Sequence, residues 1–130
     1  MDTKMPKTTS LKAERGSTLV EFAPVLIVLL ALTFGMIDFA RYVYAISAVR
    51  SAAQEGARAG TVNFSDAKPV AESMLIALDV SKANVVATQP DAETVLVDIT
   101  YEFEFITPLL AAATATGTVE IDGSASVVIY

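Results

Sequence analysis

Between Glu21 and Asp38 the chain runs through sixteen consecutive uncharged residues, FAPVLIVLLALTFGMI, most of them Leu, Ile, Val, Ala or Phe. A helix through them advances about 25 Å from one carboxylate to the other, at roughly 1.5 Å per residue. That is close to the ~30 Å hydrocarbon core of a bilayer. Counted from Ser17, 21 residues carry Glu21 as their only charge. The pattern predicts one transmembrane helix over residues 17–41 with an acid near each end. The residues before it are a leader, and those after it are presented on the far side.

Charge is divided unevenly around this run. Residues 1–16 hold four basic and two acidic side chains, net +2, whereas residues 17–130 hold five and thirteen, net −8. Residues 1–14, MDTKMPKTTSLKAE, show no apolar period and read as a flexible tail. With Arg15 they place four basic residues just before the apolar run. Arg41, Arg50 and Arg58 come later, spread out and mixed with acids. The positive-inside rule then puts the N-terminus in the cytoplasm and residues from about 40 onward outside. The acidic remainder argues against nucleic-acid binding. The chain has no Cys and no His. That removes disulfides, thiol nucleophiles, the usual general base and the commonest metal ligand. No cofactor is expected. At 130 residues, 53% of them hydrophobic, the chain makes one small domain beside an anchor.

A basic leader before an apolar run has three readings: a cleaved secretory signal, an uncleaved signal anchor, or a prepilin-type signal cut before the run. Gly16 and Glu21 bear on the choice. A prepilin-type leader is short and basic and ends in Gly, with a Glu at the fifth mature position. A cut between Gly16 and Ser17 puts Glu21 fifth. A carboxylate at the edge of an apolar span is costly, about 3 kcal/mol if carried to the bilayer centre. The new amine at Ser17 would neutralise it, within the chain or from a neighbouring subunit. The same residues also fit a plain helix start. Thr18-Leu19-Val20-Glu21 is a capping box, and an acid in the first turn suits the helix dipole.

Within the span, Pro24 cannot donate to the carbonyl of Val20, so a bend is expected near residues 20–24. Gly35 is a second soft point. Phe39, Tyr42 and Tyr44 come after Asp38 as interfacial aromatics do. Asp38 and Arg41, three apart, can pair on one face. Residues 42–60 continue the helix outside the membrane. There Ala48, Ala52, Gly56 and Gly60 make a stripe of small residues at spacing four, fitted for close approach of another helix or of the chain's own sheet. Gly60 is placed to end the helix. Glu55 and Arg58 form a second pair at spacing three.

These segments resemble the TadE-like family, minor pilins or pseudopilins of the Tad (Flp) branch of type IV pili. The resemblance is carried by RGSTLVEFAPVLIVLL, FGMIDFAR and AAQEGARAGTV, over about residues 15–62. It places the processing motif on Gly16, Ser17 and Glu21, and the membrane-exit motif on Phe34, Gly35, Asp38, Phe39 and Arg41. The post-membrane motif falls on Ala53, Glu55, Gly56, Ala57 and Arg58. Ala40 stands where the family often has Gly, and Pro24 comes early in the run. The resemblance implies a non-enzymatic protein of the bacterial inner membrane, with incorporation into an extracellular pilus as a further fate. Its implied partners are prepilin peptidase, the major Flp-type pilin, other minor pilins, the inner-membrane assembly platform and membrane lipid. The other reading is an uncleaved, membrane-anchored extracytoplasmic binding module.

Residues 61–130 read as a small α+β, pilin-like domain. Ser65 or Asp66 would cap a short helix through Asp79, with Met74, Leu75 and Leu78 on its apolar side. Asn84–Thr88 is a weak strand closed by a turn at Gln89-Pro90-Asp91. Thr94–Phe105 is the strongest strand: Val95, Val97, Ile99, Tyr101, Phe103 and Phe105 face one way and Asp98, Glu102 and Glu104 the other. Thr118–Tyr130 alternates similarly. These two or three antiparallel strands need a helical cover. Thr107–Gly117 is an apolar loop, either tucked under the sheet or offered to a partner, with Pro108 arguing against strand. The acidic strip reads as a solvated face rather than a metal site.

Overall fold

A computed structural model describes residues 10–130, with side chains from residue 16 onward except Thr18. Residues 1–9 of the expected leader, and the Thr18 side chain of the expected capping box, lie outside the described residues. The architecture is α+β: a long N-terminal helix, short helices and a three-stranded antiparallel sheet. The chain divides into two units, Met1–Phe34 and Gly35–Tyr130.

Helix α1 spans Ser10–Val62. It therefore begins seven residues before Ser17, inside the stretch read as a flexible tail, and it ends two residues beyond Gly60. Helical geometry continues on both sides of Pro24. In the first unit the apolar side chains point outward: Leu19, Ile27 and Leu32 are each about two-thirds exposed or more. From Leu19 onward α1 is long and apolar enough to cross a membrane.

In the second unit α1 becomes a wall of the core. Ala45, Val49, Ala52, Ala53 and Ala57 are fully buried. They share one core with the inner face of a sheet ordered β1-β2-β3, with β1 at Ala83–Asp91, the middle strand β2 at Thr94–Glu104 and β3 at Thr118–Val128. Val95, Val97, Ile99, Tyr101 and Phe103 line the inner face of β2, as the period of two requires, while Asp98, Glu102 and Glu104 point to solvent. Burying each large side chain contributes roughly 1.5–3 kcal/mol. An exposed ion pair such as Glu55–Arg58, at 4.0 Å, contributes about 1 kcal/mol or less. The apolar face therefore decides the fold. Contacts fix the direction of α1 against β2: Gly60 lies over Val95 and Tyr42 over Phe103, so the two run antiparallel.

Small residues let the layers close. A Cβ on Gly56 would sit 2.7 Å from the Ala71 Cβ and 2.8 Å from the Ala67 carbonyl oxygen, both in α2 (Ala67–Met74). A Cβ on Gly60 would meet Val95 at 2.7 Å, and one on Gly123 of β3 would meet Val49 at 2.7 Å. Of the stripe Ala48, Ala52, Gly56 and Gly60, the two glycines are thus occupied by the chain's own second helix and sheet, Ala52 is buried and Ala48 is half-buried. Gly60 seats Val95 inside the helix rather than ending it.

Three local differences from the sequence expectation have physical causes. Helix α2 stops at Met74 rather than Asp79; it buries Ala67 and Ala71, the capping Leu75 just after it is buried too, and Met74 is exposed. Ala77 then takes a positive φ of 62° that turns the chain back toward β1. Strand β1 extends through Pro90 to Asp91, and the hairpin turn falls at Ala92-Glu93. Pro90 is tolerated because β1 is an edge strand and its register is broken between Thr88 and Asp91. Within the expected loop 107–117, residues Pro108–Ala113 form a short helix, α3, with Pro108 at its start, where a missing N–H costs nothing.

Gly56→Ala should destabilise the second unit by about 1–3 kcal/mol through overpacking. Gly35, with nothing within 4 Å of its hypothetical Cβ, should accept Ala without loss. Thermal unfolding of both full-length variants in detergent, followed by circular dichroism, checks the contrast.

Candidate functional site

The residues singled out in the sequence fall into three groups. Gly16, Ser17, Glu21 and Pro24 belong to the first unit and are exposed on α1. Ala48 is half-buried, and Ala52 and Gly56 are buried in the packing just described. Arg58 is exposed beside Glu55. Gly35, Asp38 and Arg41 stand at the start of the second unit, and of these Asp38 organises its surroundings.

Asp38 is the first charge after the apolar run, yet its side chain is 2% exposed. One carboxylate oxygen accepts a hydrogen bond from Arg41 Nη1 at 2.8 Å. The other accepts two backbone bonds, from Ile106 N at 3.0 Å and Thr107 N at 2.6 Å. These N–H groups lie between the end of β2 and the start of α3. Neither belongs to the strand ladder, and without an acceptor the buried Thr107 donor would be unpaired. The carboxylate therefore ties helix α1 to the exit of β2 across 68 residues of sequence.

Arg41 and the aromatics complete the joint. The Arg41 guanidinium carbon lies 5.2 Å from the centre of the Phe103 ring, within cation–π range. Tyr42 meets Phe103 edge-on at 5.5 Å, and Phe103 meets Phe105 edge-on at 5.2 Å. Tyr44, further along α1, donates its hydroxyl to the Ile76 carbonyl at 2.8 Å. Between these side chains an open cleft of about 470 Å³ is lined by Ile37, Arg41, Tyr44, Leu78, Tyr101 and Phe103. The sequence offered the Asp38–Arg41 pair and the interfacial aromatics. It did not offer the two backbone donors. The only advance signal was Pro108, which ends β2 and so leaves the N–H groups just before it without a ladder partner.

Beyond the joint, Lys82 Nζ donates to Glu104 Oε2 at 2.8 Å. The lysine hydrogen bond, and then its charge, hold Glu104 below the usual carboxylate range, and the same contact pushes Lys82 up. Asp79 is held low by the hydroxyl and N–H of Ser81. The remaining outward carboxylates of β2 face solvent, with Glu102 directly opposite Glu120 of β3. Among the described residues no three His, Cys, Asp or Glu side chains gather as metal ligands.

Compared with known proteins, residues 16–58 match the family model described as TadE-like protein, about a third of the chain. No curated protein and no solved structure matches it. The matched segment opens at Gly16 and includes Glu21, the apolar run, Asp38, Arg41 and Gly56.

Asp38→Ala should leave the Ile106 and Thr107 donors unpaired and cost the second unit about 3 kcal/mol, at ~1–3 kcal/mol per buried donor. Asp38→Asn keeps the shape and one acceptor and should cost less. Denaturation in detergent, with amide exchange read at residues 106 and 107, measures both. For the Lys82–Glu104 pair, the depressed Glu104 contributes stability that is complete above its ordinary value of 4.5 and is lost as pH falls through its folded value. The raised Lys82 contributes below its ordinary 10.5 and loses this as pH rises through its folded value. Lys82→Met should therefore flatten, modestly because both groups are exposed, the fall in unfolding midpoint from about pH 6 to about pH 3. The part due to Asp79 would remain.

Proposed function

We propose that this Tad pilus-related chain, TadE-like over residues 16–58, is a minor pilin or pseudopilin. It enters the inner membrane with its N-terminus in the cytoplasm, is cut between Gly16 and Ser17 by prepilin peptidase, and is taken into a Tad (Flp) pilus or needed for its assembly. The apolar helix stays with the mature protein. Its neighbours in that assembly are the major pilin, other minor pilins and the assembly platform.

The observation that carries this reading is the state of the apolar run. The TadE-like match begins at Gly16 and covers the whole of it, and nothing among the described residues buries it. Leu19, Ile27, Leu32 and Met36 are all at least 67% exposed. Such a surface needs lipid or other helices around it. The small-residue stripe supplies little free surface for this, because α2 and the sheet occupy it at Gly56 and Gly60 and only Ala48 is half-buried. The helix-packing surface of the assembly is then the span itself, residues 19–37, with Glu21 and the new Ser17 amine setting register between neighbours.

Processing creates a new helix start. Helix α1 includes residues upstream of Gly16, and removing them leaves Ser17, Thr18 and Glu21 in its first turn. There a carboxylate is favoured by the helix dipole, so the cap expected for an unprocessed start and the processing motif describe one terminus after the cut.

Mass spectrometry of the membrane-extracted protein tests the proposal. A chain beginning at Ser17 is expected; one beginning at Met1 supports the uncleaved binding module. Gly16 has nothing within 4 Å of its hypothetical Cβ, so Gly16→Leu should leave the fold intact and abolish the cut. Unchanged size of the Gly16→Leu protein in cells that process the parent would contradict it.

A further inference from the structure

We propose that the end of the second unit carrying Ile76, Ile106 and Leu109 rests on the outer face of the bilayer, with these three side chains in its interfacial layer. This builds on the reading of the apolar helix as a membrane span.

Two hydrogen bonds bring these residues to one end. Ile106 donates its N–H to Asp38, the first charged residue after the apolar run. Ile76 gives its carbonyl to the hydroxyl of Tyr44, less than two turns further along the same helix. Leu109 comes directly afterwards, in α3. The joint that anchors the fold to α1 thus also sets two connecting segments beside the point where the helix becomes apolar.

Both segments are free of charge and expose large apolar groups. From Phe105 to Val119 there is no charged residue, and none from Ser73 to Leu78. Ile106 is 72% exposed, Leu109 69% and Ile76 66%. The charges at this end are Arg41, Asp79 and the mutually paired Lys82 and Glu104, which share a cleft with Ile106; at the other end of the sheet the hairpin turn carries Asp91 and Glu93. Three large aliphatic tips at one end are poorly placed in water. On α1 itself Met36, Ile37 and Phe39, which flank Asp38 in sequence, are 50% or more exposed. Apolar groups on such surfaces sink about 5–10 Å into the boundary between headgroups and acyl chains. Arg41, 43% exposed at the same level, keeps its charge at the headgroups while its stem stays among apolar neighbours.

The absence of native cysteine allows a direct test. Single-cysteine variants Ile106→Cys, Leu109→Cys, Glu93→Cys and Leu29→Cys of the full-length chain are labelled with a nitrobenzoxadiazole probe. They are reconstituted in phosphatidylcholine–phosphatidylglycerol vesicles with and without brominated lipid. All four positions are exposed in the fold, so the label displaces no core contact. The expected result is blue-shifted emission at 106 and 109, lost when bromines sit near the glycerol end of the chains. The probe at 29 is quenched by deep bromines, and that at 93 by neither. Quenching at 29 with 106 and 109 behaving like 93 overturns the proposal and leaves the span standing, with those tips free for a protein neighbour. No quenching at 29 removes the span, and this inference with it.

Discussion

The second unit depends on one carboxylate held where water is excluded. Asp38 accepts a guanidinium and two backbone N–H groups, so its charge is compensated from both its own helix and a segment 68 residues away. Removing a partner from such a group leaves a charge or donors stranded, which is what makes the arrangement costly to alter. Its position matters as much as its bonds. Among the described residues it is the first buried one along α1, and the inner wall of Ala45, Val49, Ala52, Ala53 and Ala57 follows it.

From that residue on, the helix and the sheet determine each other. Three strands with a single apolar face are marginal alone. Here α1 supplies the missing layer, and it approaches closely because Ala, rather than larger residues, recurs at 45, 52, 53 and 57. The partners along this wall are matched in size: Val49 fits over Gly123, Val95 over Gly60, and Ala67 and Ala71 over Gly56. A helix that served only as an anchor would have no reason for this graded fit. Of the small-residue stripe that the sequence offers to another helix or to the chain's own sheet, Ala52, Gly56 and Gly60 lie in the interior of this domain and Ala48 is half-buried.

The sequence was legible wherever local pattern and tertiary need agree. The alternation from Val95 to Phe103 could be satisfied in only one way, and β2 formed there. The apolar run from Phe22 to Ile37 was equally unambiguous as helix. Where the local signal was weak, tertiary context decided. Pro90 read as a turn because proline interrupts a central strand, but β1 is an edge strand. Gly60 read as a helix end because glycine usually is one, but Val95 needed the space. The segment from Pro108 to Ala113, apolar and without period, fitted loop or helix alike until its N–H groups were assigned. The Asp38 joint was half visible. Its Arg41 partner is three residues away and could be counted, whereas its backbone partners lie beyond the end of β2 and have no side-chain identity to read.

The TadE-like segment, residues 16–58, contains the apolar run, the Asp38 side of the joint and the inner wall from Ala45 to Ala57, while the sheet lies outside it. The account rests on that single helix being retained in the bilayer with the folded unit beyond it. Labelling of single cysteines by a membrane-impermeant maleimide, in intact cells with a permeabilised outer membrane, measures this most directly. The account predicts that a cysteine at position 93 reacts while one at position 29 reacts only after the membrane is dissolved. A cysteine at 93 that reacts only after the inner membrane is broken, or one at 29 that reacts freely in intact cells, would contradict it.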